Sequence, residues 1–135
     1  MRKAISFFAL LFVTGCITTA QELVNTTKDK ETISLDRNYQ AVYRDILTVA
    51  RDCLAGPINF TVSNKVVGQL YNDLEFGEIS YYQDNLRPIY TAYVKVSRSE
   101  AKASVAIYTG SQPSWANQRL LKKIKGWANG GTSCG

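Results

Sequence analysis

Between positions 89 and 109 apolar and polar side chains alternate, and this alternation restricts the chain to a sheet with one buried face. In the first run Tyr90, Ala92, Val94 and Val96 point one way, while Thr91, Tyr93, Lys95 and Ser97 point the other. In the second, Ala103, Val105 and Ile107 oppose Ser104, Ala106 and Tyr108. A period of two puts one set on a core and the other in water, the pattern of an antiparallel sheet. Val66 to Tyr71 and Gly77 to Gln83 are also rich in strand-forming residues, and Phe60 to Val62 reads as a weaker start to the first of them. Asn72-Asp73, Asp84-Asn85 and the stretch from Ser97 to Lys102 supply the turns between strands.

The apolar face needs a cover, and two segments of helical period provide it. Tyr39, Val42, Tyr43, Ile46, Val49, Ala50, Cys53 and Leu54 recur at helical spacing after Asp36, a credible N-cap. Arg37, Gln40, Arg44, Thr48 and Arg51 form the opposite, solvated side, and Gly56-Pro57 supplies the stop. A second helix starts near Ser111 or Ser114, with Trp115, Ala116, Leu120, Leu121, Ile124, Trp127 and Ala128 as its apolar stripe, and ends at Gly130-Gly131. Residues 32–35 read as a short strand. The expected architecture is a two-layer α+β domain over 32–135, an antiparallel sheet of about four strands with two helices packed on one face.

The chain has 135 residues, enough for one domain with its own core. Apolar residues make up 45% and charged residues 20%, which excludes a disordered chain. Histidine is absent, which removes the commonest metal ligand and the usual general base at neutral pH. No cofactor is implied.

The amino terminus speaks to address. Arg2 and Lys3 precede an apolar run from Ala4 to Val13, too short for the roughly 20 residues a membrane-spanning helix needs. A charged start, a short apolar stretch and a small-residue exit mark an export signal. The exit reads Val13-Thr14-Gly15-Cys16, which resembles the lipobox of bacterial lipoproteins at all four positions. The resemblance implies that residues 1–15 are a signal peptide cleaved before Cys16, which then carries a diacylglyceryl thioether and an acylated amino group. The alternative is an ordinary secretory signal with Cys16 as an incidental thiol, but the expected A-x-A site is missing. Residue 17 is Ile rather than Asp. By similarity to Gram-negative sorting this favours the outer membrane, facing the periplasm. Residues 16–31 then form the lipidated terminus and a flexible tether, since their apolar positions are scattered.

Cleavage removes two of the sixteen basic side chains and leaves fourteen against eleven acidic, a net of +3. That is too weak to argue nucleic-acid binding. Three cysteines occur in the chain. If Cys16 carries lipid, Cys53 and Cys134 remain in an oxidising space, where an even pair is normally bridged. Two free redox thiols are the alternative, although neither sits in a C-x-x-C. The mature chain also resembles small proteobacterial envelope lipoproteins, with Cys53 ending the first helix and Trp127-Ala128-Asn129-Gly130 followed by Cys134. This similarity implies the fold and the bridge, and no activity.

Two surfaces are candidates for binding. Tyr93 and Tyr108 belong to the outward set of the sheet with Lys95 beside them and Tyr82 near, and exposed tyrosines suit sugars, peptides or another protein. The bland alternative is that tyrosines stabilise the sheet by cross-strand pairing. Arg119, Lys122, Lys123 and Lys125 lie off the apolar stripe of the second helix, and no acidic residue follows Glu100. They can meet anionic lipid, or simply complement the helix dipole. Asp73, Glu75 and Glu78 raise a carboxylate pair, and Ser99-Glu100-Ala101-Lys102 matches S-x-x-K, but in a turn and without the companion motifs of the serine enzymes that use it. The expectation is a non-catalytic binding or assembly module, tied to the membrane by lipid and facing an envelope protein or the cell wall. The alternatives are a small envelope enzyme using carboxylate or Ser/Lys chemistry, and a structural protein whose basic helix rests on lipid.

Overall fold

A computed structural model describes residues 16–100 and 102–135. The signal peptide expected over 1–15 lies outside the described residues. The sheet has six strands in the order β1-β6-β5-β4-β3-β2, and every neighbouring pair is antiparallel. They are β1 (Asp29–Leu35), β2 (Gly56–Pro57), β3 (Ser63–Tyr71), β4 (Phe76–Asp84), β5 (Ile89–Ser97) and β6 (Ala103–Thr109). The α+β class and antiparallel sheet stand, and the count of about four strands is corrected to six. The two extra strands are edges. β1 extends the segment expected at 32–35, and β2 is two residues long, too short to show a period. An edge strand this short offers little to a stray chain.

Helices α2 (Tyr39–Leu54) and α3 (Ser114–Ala128) cover one face. Asn38 caps α2 rather than Asp36, its side chain accepting from the N–H groups of Gln40 and Ala41. Asp36 instead pairs with Lys102 at 2.9 Å. The core fills with Val42, Ile46, Val49 and Ala50 from α2, Leu120, Leu121, Ile124 and Trp127 from α3, and the inward residues of β3 to β6. From Ala92 onward the strand parity is as the alternation required: Ala92, Val94, Val96, Ala103, Val105 and Ile107 are all buried, whereas Thr91, assigned to the outward set, is buried as well. Tyr43 lies across β3 and β4, where Gly68 and Gly77 leave room for its ring. A Cβ on Gly77 would fall 2.5 Å from Tyr43 Cδ2.

Polar ties orient α3. Lys125 Nζ meets Glu31 Oε1 of β1 at 2.5 Å. Asn117, buried, donates to Asp29 and to the Gln112 carbonyl. Arg37 donates to the Ala128 carbonyl at the end of α3 and pairs with Asp45 of α2, so it is not the solvated residue that helical spacing suggested. The Cys53–Cys134 disulfide joins the last turn of α2 to the segment after α3, closing a sequence separation of 81.

The amino-terminal segment departs most from expectation. Residues 16–31 are not a tether in this structure. They contain α1 (Ala20–Thr26) and the start of β1. Thr19 and Glu22 form a reciprocal capping box, and Leu23 is fully buried. α1 packs against β5 and β6, where a Cβ on Gly110 would fall 2.5 Å from Leu23 Cδ1. The Tyr90 N–H then donates to the Ile17 carbonyl at 3.0 Å. Only Leu23 of the few apolar residues in α1 is buried, and a helix of seven residues is too short to display a sustained stripe, which is why the sequence hid this docking. Among the described residues no helix is long and apolar enough to cross a membrane.

Candidate functional site

The sheet face away from α2 and α3 collects aromatic side chains from four adjacent strands. Cross-strand register decides the neighbours. Tyr93 of β5 sits opposite Tyr108 of β6, with ring centroids 6.0 Å apart. Toward one end Tyr71 of β3 packs on Phe76 of β4 at 4.9 Å, and the Lys95 ammonium lies 4.4 Å from the Phe76 ring centroid. Toward the other, Tyr82 stacks on Tyr90 at 5.0 Å. Alternation alone assigned Tyr90 to the inward set. A register shift at Tyr81/Tyr82 brings it opposite Tyr82 instead, on the outward face.

All of these rings are half-buried, and Lys95 is exposed. Tyr93 donates its phenol proton to Glu78 Oε1 across the β4–β5 pair. Burial first, then that bond and the Glu78 charge, push the Tyr93 phenol well above its ordinary range. Burial also raises Tyr90, helped by the neighbouring Tyr82. The Tyr93 and Tyr90 phenols therefore stay protonated at physiological pH, as hydrogen-bonding tips on apolar plates. The structure brings Tyr93 and Tyr108 together and sets Tyr82 with Tyr90 in a separate pair. Tyr71, Phe76 and Glu78 complete the face. The register across β3 and β4 was the missing signal, because neither strand alternates cleanly enough to show which rings share a side.

The basic helix residues do not act as one group. Lys125 is turned to Glu31, while Arg119 and Lys122 are exposed and Lys123 half-buried. Arg119, Lys122 and Lys123 border an open groove of 340 Å³ that Gly126 and Gly131 also line. Asp73 and Glu75 lie in the β3–β4 turn, so they do not share a strand face. Glu75 has φ 57° and pairs with Arg98. Ser99 and Lys102 close a turn through the Lys102 N–H to the Ser99 carbonyl, with the Lys102 amine held by Asp36. Among the described residues no group of three or more Cys, Asp or Glu side chains is placed to hold a metal ion. Cys16 is exposed with a free thiol, one residue from the Ile17–Tyr90 contact. Trp115 is 70% exposed and off the apolar stripe assigned to it. Comparison with protein-family models and with curated proteins finds no match for this chain.

Proposed function

We propose that the protein is a lipid-anchored, periplasm-facing binding or assembly module of the bacterial envelope, which engages an envelope protein or cell-wall polymer through the aromatic face of its sheet. The observation that carries this reading is the asymmetry of the sheet. Two helices seal one face, while the other shows paired tyrosines, a cation on a ring and a carboxylate on a phenol. Such a surface combines flat apolar area with fixed hydrogen-bonding tips, at little cost in side-chain entropy. The lipobox at Val13 to Cys16 supports the anchor, and Ile rather than Asp at position 17 supports the outer-membrane address. Chemistry by Ser/Lys or paired carboxylates draws no support, because Lys102 and Glu75 are each taken up by a salt bridge.

The test uses a photoreactive side chain at Lys95, on the aromatic face, against the same group at Lys122 on α3. In intact envelopes position 95 should give a discrete adduct that disappears with Tyr93→Ser and Tyr108→Ser together. Adducts that arise equally from position 122, or none from position 95, would sink this reading.

A further inference from the structure

At one end of the sheet, two loops and the loop that opens α3 present exposed apolar side chains on the side where Cys16 enters. The antiparallel register places them there. Ser63 opposite Asp84 sets the loop 58–62 beside the loop 85–88, and the latter leads into β5 at Ile89 and Tyr90. The Ile17 carbonyl accepts from Tyr90, so Cys16 sits at this same end. The Ser111 hydroxyl donates to the Tyr90 carbonyl, which brings in the loop 110–113 and the start of α3. On the first two loops Phe60 and Leu86 are fully exposed and Ile58 is 52% exposed, and in the first turn of α3 Trp115 is 70% exposed. The other exposed large apolar residues among those described are Leu74, at the opposite end, and Val67 on the sheet.

We propose that these loops form a membrane-contact rim, in which Phe60, Leu86 and Trp115 enter the headgroup–acyl boundary of the leaflet that holds the Cys16 lipid. The inference rests on the lipid-anchor reading and deepens it by naming the surface that meets the bilayer. Three observations on the molecule select lipid as the occupant. First, docking of Ile17 and Leu23 leaves no slack between the acylated residue and the domain, so this end faces the leaflet. Second, Phe60 and Leu86 stand on separate loops and Trp115 in the first turn of α3, a scatter that suits a fluid apolar phase rather than a packed protein pocket. Third, none of the three loops carries an acidic residue, and Arg87 beside Leu86 and Arg119 one turn from Trp115 supply cations at headgroup depth. Asp84, which borders one loop, is the nearest carboxylate in sequence to Leu86.

The two tryptophans make the test direct. Trp127 is 1% exposed and donates its indole N–H to the Ser133 carbonyl, so it is a silent reference for Trp115. The chain from Cys16 onward holds the whole sheet, core and disulfide described above. Its free Cys16 thiol is coupled to maleimide-headgroup lipid in phosphatidylethanolamine/phosphatidylglycerol vesicles, with bromine on the acyl chains near the headgroup. Trp115 emission should shift to the blue, lose access to acrylamide and be quenched by bromine. Trp115→Phe should abolish the quenchable part, and Phe60→Ser with Leu86→Ser should weaken the quenching by about twofold or more, as the rim rises from its ~5–10 Å depth. Trp115 emission that stays accessible to acrylamide and ignores bromine overturns the proposal, as does full quenching in the double variant. Coupling supplies the anchor chemically, so these outcomes do not depend on acylation in the cell. Loss of the natural lipid would show separately, as absent acyl labelling of the full chain.

Discussion

Replacing Leu23 by Ala should release the amino-terminal helix without unfolding the domain. Leu23 is the one buried residue of α1, and it lies outside the main core between the sheet and the α2–α3 layer. Seven residues cannot hold a helix alone, so docking depends on that side chain. The remaining ties are the Thr27 hydroxyl on the Thr109 carbonyl and the Tyr90 N–H on Ile17. Truncating a buried leucine costs about 2–5 kcal/mol. Taking about 3 kcal/mol, the undocked population of α1 rises by about a hundredfold, at 1.4 kcal/mol per decade. Amide hydrogen exchange reads this residue by residue. Positions 20–27 and the Tyr90 N–H should exchange about a hundredfold faster, while Val94 and Ile107 keep their protection. Unchanged exchange at Tyr90 would refute the docking argument. Equal acceleration at Val94 and Ile107 would show that α1 is part of the global folding unit instead.

Other outcomes follow from packing, covalent linkage and titration. Gly77→Ala drives a Cβ into the Tyr43 ring and should cost about 1–3 kcal/mol in urea unfolding, whereas Gly126→Ala, with no heavy atom within 4 Å of its Cβ, should be neutral or stabilise α3 by up to about 1 kcal/mol. Replacing both Cys53 and Cys134 by Ser opens a loop with a separation of 81 residues, worth about 4.5 kcal/mol in the chain-entropy model. For a domain this size that is a fall in Tm of roughly 15–20 °C, read by calorimetry. The raised Tyr93 phenol contributes stability that is complete below the unfolded tyrosine pKa of about 10 and is lost as pH rises through the higher folded value. Tyr93→Phe should therefore flatten the alkaline limb of a stability–pH curve. An identical limb in both proteins would remove Tyr93 as its cause.

Where side chains alternate or follow a helical period, sequence was sufficient. β5 and β6 begin and end where the pattern does, and α2 and α3 bury the stripes that their spacing defines, with Trp115 as the exception. Trp115 sits a residue into α3, where its position on the wheel points away from Leu120 and Leu121; composition alone made it look like core. Contacts made by single residues were illegible. Leu23 is a single buried residue in a short helix, Gly68 and Gly77 give no sign in the sequence that they leave space for Tyr43, and Arg37 shows its partners only once the end of α3 is brought to it. The aromatic face was half legible. Tyr93 and Tyr108 follow from alternation, but the Tyr82–Tyr90 stack depends on a one-residue shift in register that no local pattern announces.

The proposed anchor requires lipid on the Cys16 sulfur, and metabolic labelling tests that requirement most directly. A clickable palmitate analogue, fed to bacteria that express the full chain, should label the wild type and leave Cys16→Ser unlabelled. A wild-type protein that accumulates, matures and carries no label would contradict the account.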